Sequence, residues 1–253
     1  MPVGTVTSIY RYPLKGFSPE ALAAVALTLG EALPYDRAYA VENGRGRFDA
    51  SDPRPLPKVN FLMLMRNERL ATLTTSFDPE THVLTILRSG KQVARGDLSG
   101  KLGRQMIEQF LAAYLKDDLR GPPHIVQAPG HSFTDHPEKR VHIVNLETVR
   151  DLERLLGKPV NPLRFRANVY VDGVPAWEEL RWLGQVIELG AVRLSVSERT
   201  VRCEATNVDP ATGVRDLAIP RLIERHFGHQ DCGVYAEVLV GGTVQPGDTL
   251  KLL

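Results

Sequence analysis

Cysteine is nearly absent: Cys203 and Cys232 are the only two in 253 residues. A disulfide-framed secreted domain needs more, so a reducing, cytoplasmic setting is expected. No apolar run approaches the ~18 residues of a membrane span. The opening stretch, through Tyr12-Pro13-Leu14-Lys15-Gly16, enters alternating residues directly and lacks a signal-peptide core. Neither sign of charge dominates, with 31 Lys and Arg against 30 Asp and Glu. That removes the bulk positive field which general nucleic-acid or anionic-membrane binding requires. The chain also has no G-x-S-x-G, no P-loop and no Rossmann glycine fingerprint. Serine-hydrolase, nucleotide-triphosphatase and dehydrogenase readings therefore find no support.

What is present is ordinary globular material, 43% hydrophobic and 24% charged. Val3–Tyr10 alternates as a strand, and Ala21–Leu29 is rich in Val, Leu and Thr. Leu70–Phe77 and His82–Leu87 flank the turn residues Asp78-Pro79-Glu80-Thr81, which predicts a hairpin. Asn43–Lys58, with two glycines and three prolines, reads as a long loop of the kind that carries binding residues. Helical spacing runs from Leu102 to Leu115 after a candidate cap at Ser99, and Lys116–Pro123 reads as a linker. A second helix, Leu146–Leu156, has Asn145 before it and Gly157 at its stop. Strands are expected at 168–171, 185–189, 192–197, 234–240 and 249–252, with a short helix at Pro220–Phe227. The expected class is α+β, mainly β: two β-barrel-like units, residues 1–120 and 121–253, with a few buttressing helices. Barrels are favoured because closure removes exposed edges.

Three groups of residues could carry chemistry. Cys203 follows Arg199 and Arg202 at the end of a strand and precedes the turn signals Asp209-Pro210 and Gly213. Guanidinium groups favour a thiolate, which serves as a nucleophile or as a soft-metal ligand; the plain alternative is an inert, buried thiol. Arg164, Arg166 and Asn168 alternate into a strand. Extended spacing would put all three on one face as an anion site, or leave them as solvated ion pairs. Lys15 and Asp36-Arg37 stand at similar strand–loop junctions, where ordinary surface charge is the alternative. His226, His229 and Cys232, with Cys203, would supply four zinc ligands, although the spacing is not that of a standard ribbon or finger.

Arg164-Phe165-Arg166-Ala167-Asn168-Val169, then Arg202-Cys203-Glu204-Ala205-Thr206-Asn207-Val208-Asp209-Pro210-Ala211-Thr212-Gly213, then Gly247-Asp248, resemble the MOSC domain. Tyr12-Pro13-Leu14-Lys15, Asp36-Arg37 and Asp52-Pro53-Arg54-Pro55-Leu56 resemble the β-barrel domain that precedes it in many proteins. The resemblance covers essentially the whole chain and points to the amidoxime-reducing enzymes. It implies a molybdenum cofactor with Cys203 as the protein thiolate on the metal. It further implies that Lys15, Arg37, Arg166, Asn168 and Arg202 grip the pterin and its phosphate, with Tyr235 as a further pocket residue. The implied activity is that of an oxidoreductase, reducing N-hydroxylated compounds or N- and S-oxides by oxygen-atom transfer. The same residues would equally serve a non-catalytic carrier of the cofactor or of sulfur on Cys203. A third, weaker reading is a structural zinc protein.

The chain departs from the pattern in places. Two cysteines cannot hold the iron–sulfur cluster that some bacterial relatives append, so electrons would come from a separate ferredoxin-, flavin- or haem-type protein. A small-molecule substrate and a soluble form without membrane or nucleic-acid partner are expected. Val201 replaces the Ser that eukaryotic relatives carry before Arg-Cys. Substrate specificity is expected to sit in loops such as 43–58 and 128–139.

Overall fold

Alternation at the start of the chain makes a long strand, with Val6 and Ile9 buried. The computed structural model describes residues 3–44 and 46–253, so Met1, Pro2 and Arg45 of the 43–58 loop lie outside the described residues. In chain order the first half contains β1 (Val3–Arg11), β2 (Glu20–Leu22), β3 (Val25–Leu27), β4 (Ala40–Asn43), β5 (Leu73–Phe77), β6 (Val83–Arg88), β7 (Lys91–Asp97) and α1 (Lys101–Tyr114). The second half contains β8 (Pro123–Val126), β9 (Val141–Asn145), α2 (Leu146–Leu156), β10 (Val169–Asp172), β11 (Val186–Leu189) and β12 (Val192–Val201). It ends with α3 (Ile219–Phe227), β13 (Asp231–Val240), β14 (Gly242–Val244) and β15 (Thr249–Leu252).

Seven strands close into a barrel in the order β10-β9-β13-β12-β11-β15-β1, with β1 returning to β10. Neighbours are antiparallel except β9 and β10, which are parallel and joined through α2, as a parallel pair needs a crossover. A register shift between Val6 and Ser8 bends β1. It pairs β15 through Val3–Thr5, β10 through Thr5–Ile9 and β2 through Ile9–Arg11. Ile143, Val169, Leu194, Val234 and Val238 fill the barrel. Val144 and Tyr170 face outward on the same strands and pack with α2 and α3 through Val149, Leu152, Ile219 and Ile223. Both faces of β9 and β10 are thus covered, which is why β9 is buried throughout. Each fully buried aliphatic side chain contributes roughly 1.5–3 kcal/mol.

The N-terminal unit takes the form of two smaller sheets, β4–β8 and β5–β6–β7, with α1 against them. Leu73, Phe77, Leu84, Ile86, Ile107 and Leu111 form its core. Strands on either side of residue 120 share sheets: β1 and β2 join the barrel, β3 pairs with β14, and β4 with β8.

Several local expectations need correction. Ala21–Leu29 is two strands, because β2 stays on β1 while β3 crosses to β14. Ser99 does not cap α1; its hydroxyl donates to Asp97, and Gly100 takes the cap position. The linker is shorter than expected because Pro123 already pairs with Asn43. Asn145 does cap α2, accepting from the Glu147 N–H, and Gly157 closes it in the left-handed region. No helix among the described residues is long and apolar enough to cross a membrane.

Candidate functional site

His142 at the start of β9 and Arg202 just after β12 line one pocket, together with Arg37 and Arg166, which lie against Tyr12 just after β1. Tyr12 is fully buried, and its backbone N–H donates to Asp36 Oδ1 at 2.8 Å. Two guanidiniums lie against its ring, Arg37 at 4.2 Å and Arg166 at 4.3 Å from the centroid. Both arginines are left-handed, with φ of 50° and 54°. That conformation costs about 1 kcal/mol or more for a residue with a Cβ. It turns the Arg166 carbonyl toward Arg37, whose Nη2 donates to it at 2.8 Å. Arg37 Nη1 is held by Asp36 at 2.5 Å, and Arg166 Nη1 donates to the Phe17 carbonyl at 2.7 Å.

Cys203 sits in extended conformation at the start of a 3-10 turn, Glu204–Asn207, and its side chain is half-buried on the pocket. The preceding Arg202 is buried. Its Nη2 donates to the Phe165 carbonyl at 2.6 Å and its Nη1 to His142 Nε2 at 3.2 Å, while its Nε has no hydrogen-bond partner. Burial, then the charges of Arg202 and Arg37, hold the His142 pKa well below its ordinary value. Its imidazole is therefore neutral and free to accept from Arg202.

A third element closes the mouth. Lys15 Nζ donates to the Phe133 carbonyl at 2.7 Å and to Asp135 Oδ1 at 2.5 Å, and Lys58 reaches the other oxygen at 3.5 Å. Burial lowers the Lys15 pKa against the pull of Asp135. For Lys58, burial lowers the pKa, but Asp135 and Cys203 outweigh it and the net shift is upward. Burial would raise Asp135, yet the two lysines carry its carboxyl down to about 2. Of the five cations Lys15, Lys58, Arg37, Arg166 and Arg202, the two lysines share Asp135 and Arg37 pairs with Asp36. Among the described residues no carboxylate forms an ion pair with Arg166 or Arg202. Burial, and then the charge of Arg37 working against the attraction of Tyr12, carries Arg166 down to about 10. The space within it is about 120 Å³ and is open to solvent, with half-buried Cys203 in its lining. Such a pocket is built for an anion that also offers a soft partner to sulfur.

Residues 3–118 match the family model of the MOSC N-terminal beta barrel domain, and residues 130–251 that of the MOSC domain. The chain belongs to the MOSC family. It is similar to human mitochondrial amidoxime-reducing component 1, 24% identical across 99% of this chain and 83% of that protein. Bovine mitochondrial amidoxime reducing component 2 is 26% identical over 86% of this chain and 70% of its own length. Bovine molybdenum cofactor sulfurase is 24% identical over 91% of this chain but only 30% of that protein.

In this MOSC chain the pocket brings together Cys203, Lys15, Arg37, Arg166, Asn168, Arg202 and Tyr235. Their surroundings differ from the sequence expectation at several points. Arg164 and Arg166 do not share a face, because Pro162–Phe165 is a 3-10 turn and Arg166 is its left-handed cap. Arg164 instead turns to Asp209 and Asp216, at 3.0 and 2.8 Å, and pins the turn that follows Cys203. The Asn168 amide donates to the Tyr10 carbonyl and accepts from the His142 N–H, which fixes it in the wall of the pocket. Arg199 turns away to the Leu180 carbonyl, whereas Lys58 lies close enough to interact with Cys203. The zinc set is not assembled: Cys232 is fully buried in the core under α3, and the described residues hold no His, Cys, Asp and Glu cluster able to bind a metal.

The sequence reading missed Lys58, Asp135, His136 and His142. His136 lies against Tyr235 and pairs with Glu198 at 3.0 Å. Lys58 was legible as the end of the proline-rich loop, and Asp135 as a charge within 128–139. Nothing in spacing joins them to each other or to Cys203.

Proposed function

We propose that this pocket binds a molybdenum cofactor and that the protein is an oxidoreductase reducing N-hydroxylated compounds or N- and S-oxides. The observation that carries this is one pocket holding an accessible thiol, Cys203, beside guanidiniums that lack carboxylate partners. The donor set fits the group. The orphaned Arg202 Nε and the crowded Arg166 suit an anionic phosphate, and a single sulfur suits molybdenum. Arg37, Arg166, Arg202 and Lys15 would hold the pterin phosphate end, with Asn168 and Tyr235 along the wall and Cys203 as metal ligand. When bound, the cofactor supplies two-electron oxygen-atom transfer chemistry.

The protein's own residues do the rest. Arg37 and Arg166 are fixed by carbonyls and by Tyr12, so their charge is preorganised and needs no rearrangement on binding. Lys58 keeps a proton on Nζ beside Cys203 at the pocket mouth, where a polar N–OH group would arrive. Electrons would come from a separate donor protein. The similarity to molybdenum cofactor sulfurase, with Cys203 open to the mouth, favours carriage of cofactor or sulfur as a second reading.

The test is metal and pterin content of protein from a molybdenum-competent host, followed by an amidoxime assay with an artificial electron donor. Molybdenum and pterin near one per chain with turnover is expected. Bound cofactor that exchanges readily and gives no turnover would select the carrier. Cys203→Ser should lose molybdenum or activity while keeping the fold, because serine is a hard, poorly ionised ligand. Full activity in that variant would remove Cys203 from the assignment.

A further inference from the structure

A second cavity of about 280 Å³ lies between the 43–58 loop and the 128–139 loop. It adjoins the first across the Lys15–Asp135–Lys58 bridge, whose residues line both. Its apolar lining is Pro55, Leu56, Pro57, Phe61, Phe133 and Pro137, set beside the polar Ser132, Thr134 and His136. His131 adds a further ring, 4.7 Å from Phe133 and edge-on to it. Burial, and then Lys139, lower the His131 pKa, so this ring is uncharged at neutral pH. Among the described residues no arginine lines the cavity, and both of its lysines are bound to Asp135. The arginines gathered in the first cavity make it the better place for an anion.

The first part of the 43–58 loop is anchored on β4. Glu42 is buried, and its Oε1 accepts from the N–H groups of Arg47 and Phe48 at 2.6 and 2.9 Å, which ties down the loop. Phe48 then stacks behind Phe133 at 4.8 Å and His131 at 5.2 Å. An apolar cavity of about 150 Å³ is enough to bind benzene. The space here accommodates a substituted or fused ring.

We propose that this cavity is a subsite for a planar, uncharged aromatic group of the small-molecule substrate, whose polar end is held at Lys58 and Asp135. The inference rests on the oxidoreductase reading for the word substrate, but the subsite stands on its own geometry. It makes the protein selective for aryl over small aliphatic N-hydroxylated compounds.

The test uses the full chain and two probes, benzamidoxime and formamidoxime, followed by NMR at the rings of Phe133 and His131 and the methyls of Leu56. Benzamidoxime should shift these signals and formamidoxime should leave them unmoved. Leu56→Asp should abolish the binding, and Leu56→Ala, the milder change should the first fail to fold, should weaken it about fivefold or more. In turnover, KM for benzamidoxime should rise by the same factor with kcat unchanged, and KM for formamidoxime should not move. Equal binding in wild type and both variants would overturn the proposal. Loss of molybdenum and pterin in the folded variants would also overturn it, by making the cavity part of the cofactor site. Binding at the loops without reduction of any N-hydroxylated compound would keep the subsite and remove the reaction; reduction without binding at the loops would do the reverse.

Discussion

Away from the pocket, Glu179 sets a pH dependence of stability that can be worked from its surroundings. The side chain is completely buried. One oxygen, Oε2, accepts from Asn145 Nδ2 at 3.2 Å and from Thr148 Oγ1 at 2.9 Å, while Oε1 has no side-chain partner. Burial pushes the carboxyl from 4.5 up to about 7, and the bonds from Thr148 and Asn145 offset only part of that. The folded pKa is raised above the unfolded value, so the folded chain holds this proton more tightly. Stability from the site is therefore fully present below about pH 4.5 and is lost as pH rises through about 7. At 1.36 kcal/mol per pH unit the loss between pH 4.5 and 8.5 amounts to about 3 kcal/mol.

The perturbation is Glu179→Gln, which keeps the shape and cannot ionise. The assay is urea unfolding from pH 4.5 to 8.5, read by tryptophan fluorescence. Trp177 and Trp182, the only tryptophans, flank the site. His142 contributes with the opposite sign, since a buried imidazole with a lowered pKa loses stability as pH falls below its unfolded value. The wild-type-minus-variant difference cancels that contribution. The difference should change by about 3 kcal/mol across the range, with the glutamine protein gaining on wild type as pH rises. Parallel profiles would refute the buried-carboxyl argument.

Two further outcomes follow from packing. Gly103 lies in α1 with its Cα against the Asp97 backbone, and an added methyl would overlap that backbone. A helical Gly→Ala change ordinarily gains about 1 kcal/mol, but Gly103→Ala should instead cost about 3 kcal/mol in urea denaturation. A gain would mean that α1 does not contact β7 as described. Burial, and then the charge of Glu179, raise the Cys232 thiol well above its ordinary value, whereas Cys203 is half-buried on the pocket. Iodoacetamide should modify one thiol in the native protein and the second only after denaturation. Cys232→Ser should cost about 1–3 kcal/mol for a buried hydroxyl without a partner and leave molybdenum content unchanged. Equal modification rates of the two native thiols would contradict this.

Legibility in the sequence followed the range of the physics involved. Period-two alternation and local turn chemistry marked β1, the β5–β6 hairpin and β15, and cap and stop residues marked α2, because each is decided within a few residues. The motif around Cys203 was equally local. Arg164 and Arg166 were misread because alternation was assumed to hold up to the strand, whereas Pro162 starts a 3-10 turn there and Arg166 reverses φ. The roles of Lys58, Asp135 and His142 were not legible, since their meaning lies in contacts between distant segments.

Those contacts also explain why the pocket sits where segments end. Crowding five cations is unfavourable, and a carboxylate beside each would quench the field that an anionic ligand needs. Backbone carbonyls at segment ends provide an intermediate solution. Those of Phe17 and Phe165 accept from Arg166 and Arg202, offsetting their desolvation while leaving their charge uncancelled. Those of Phe133 and Arg166 supplement the carboxylates that hold Lys15 and Arg37. Carbonyls inside the barrel are already spent on the sheet, whereas these four lie in segments between strands. The two left-handed arginines are the local strain that this arrangement requires, and the barrel's core makes it sustainable.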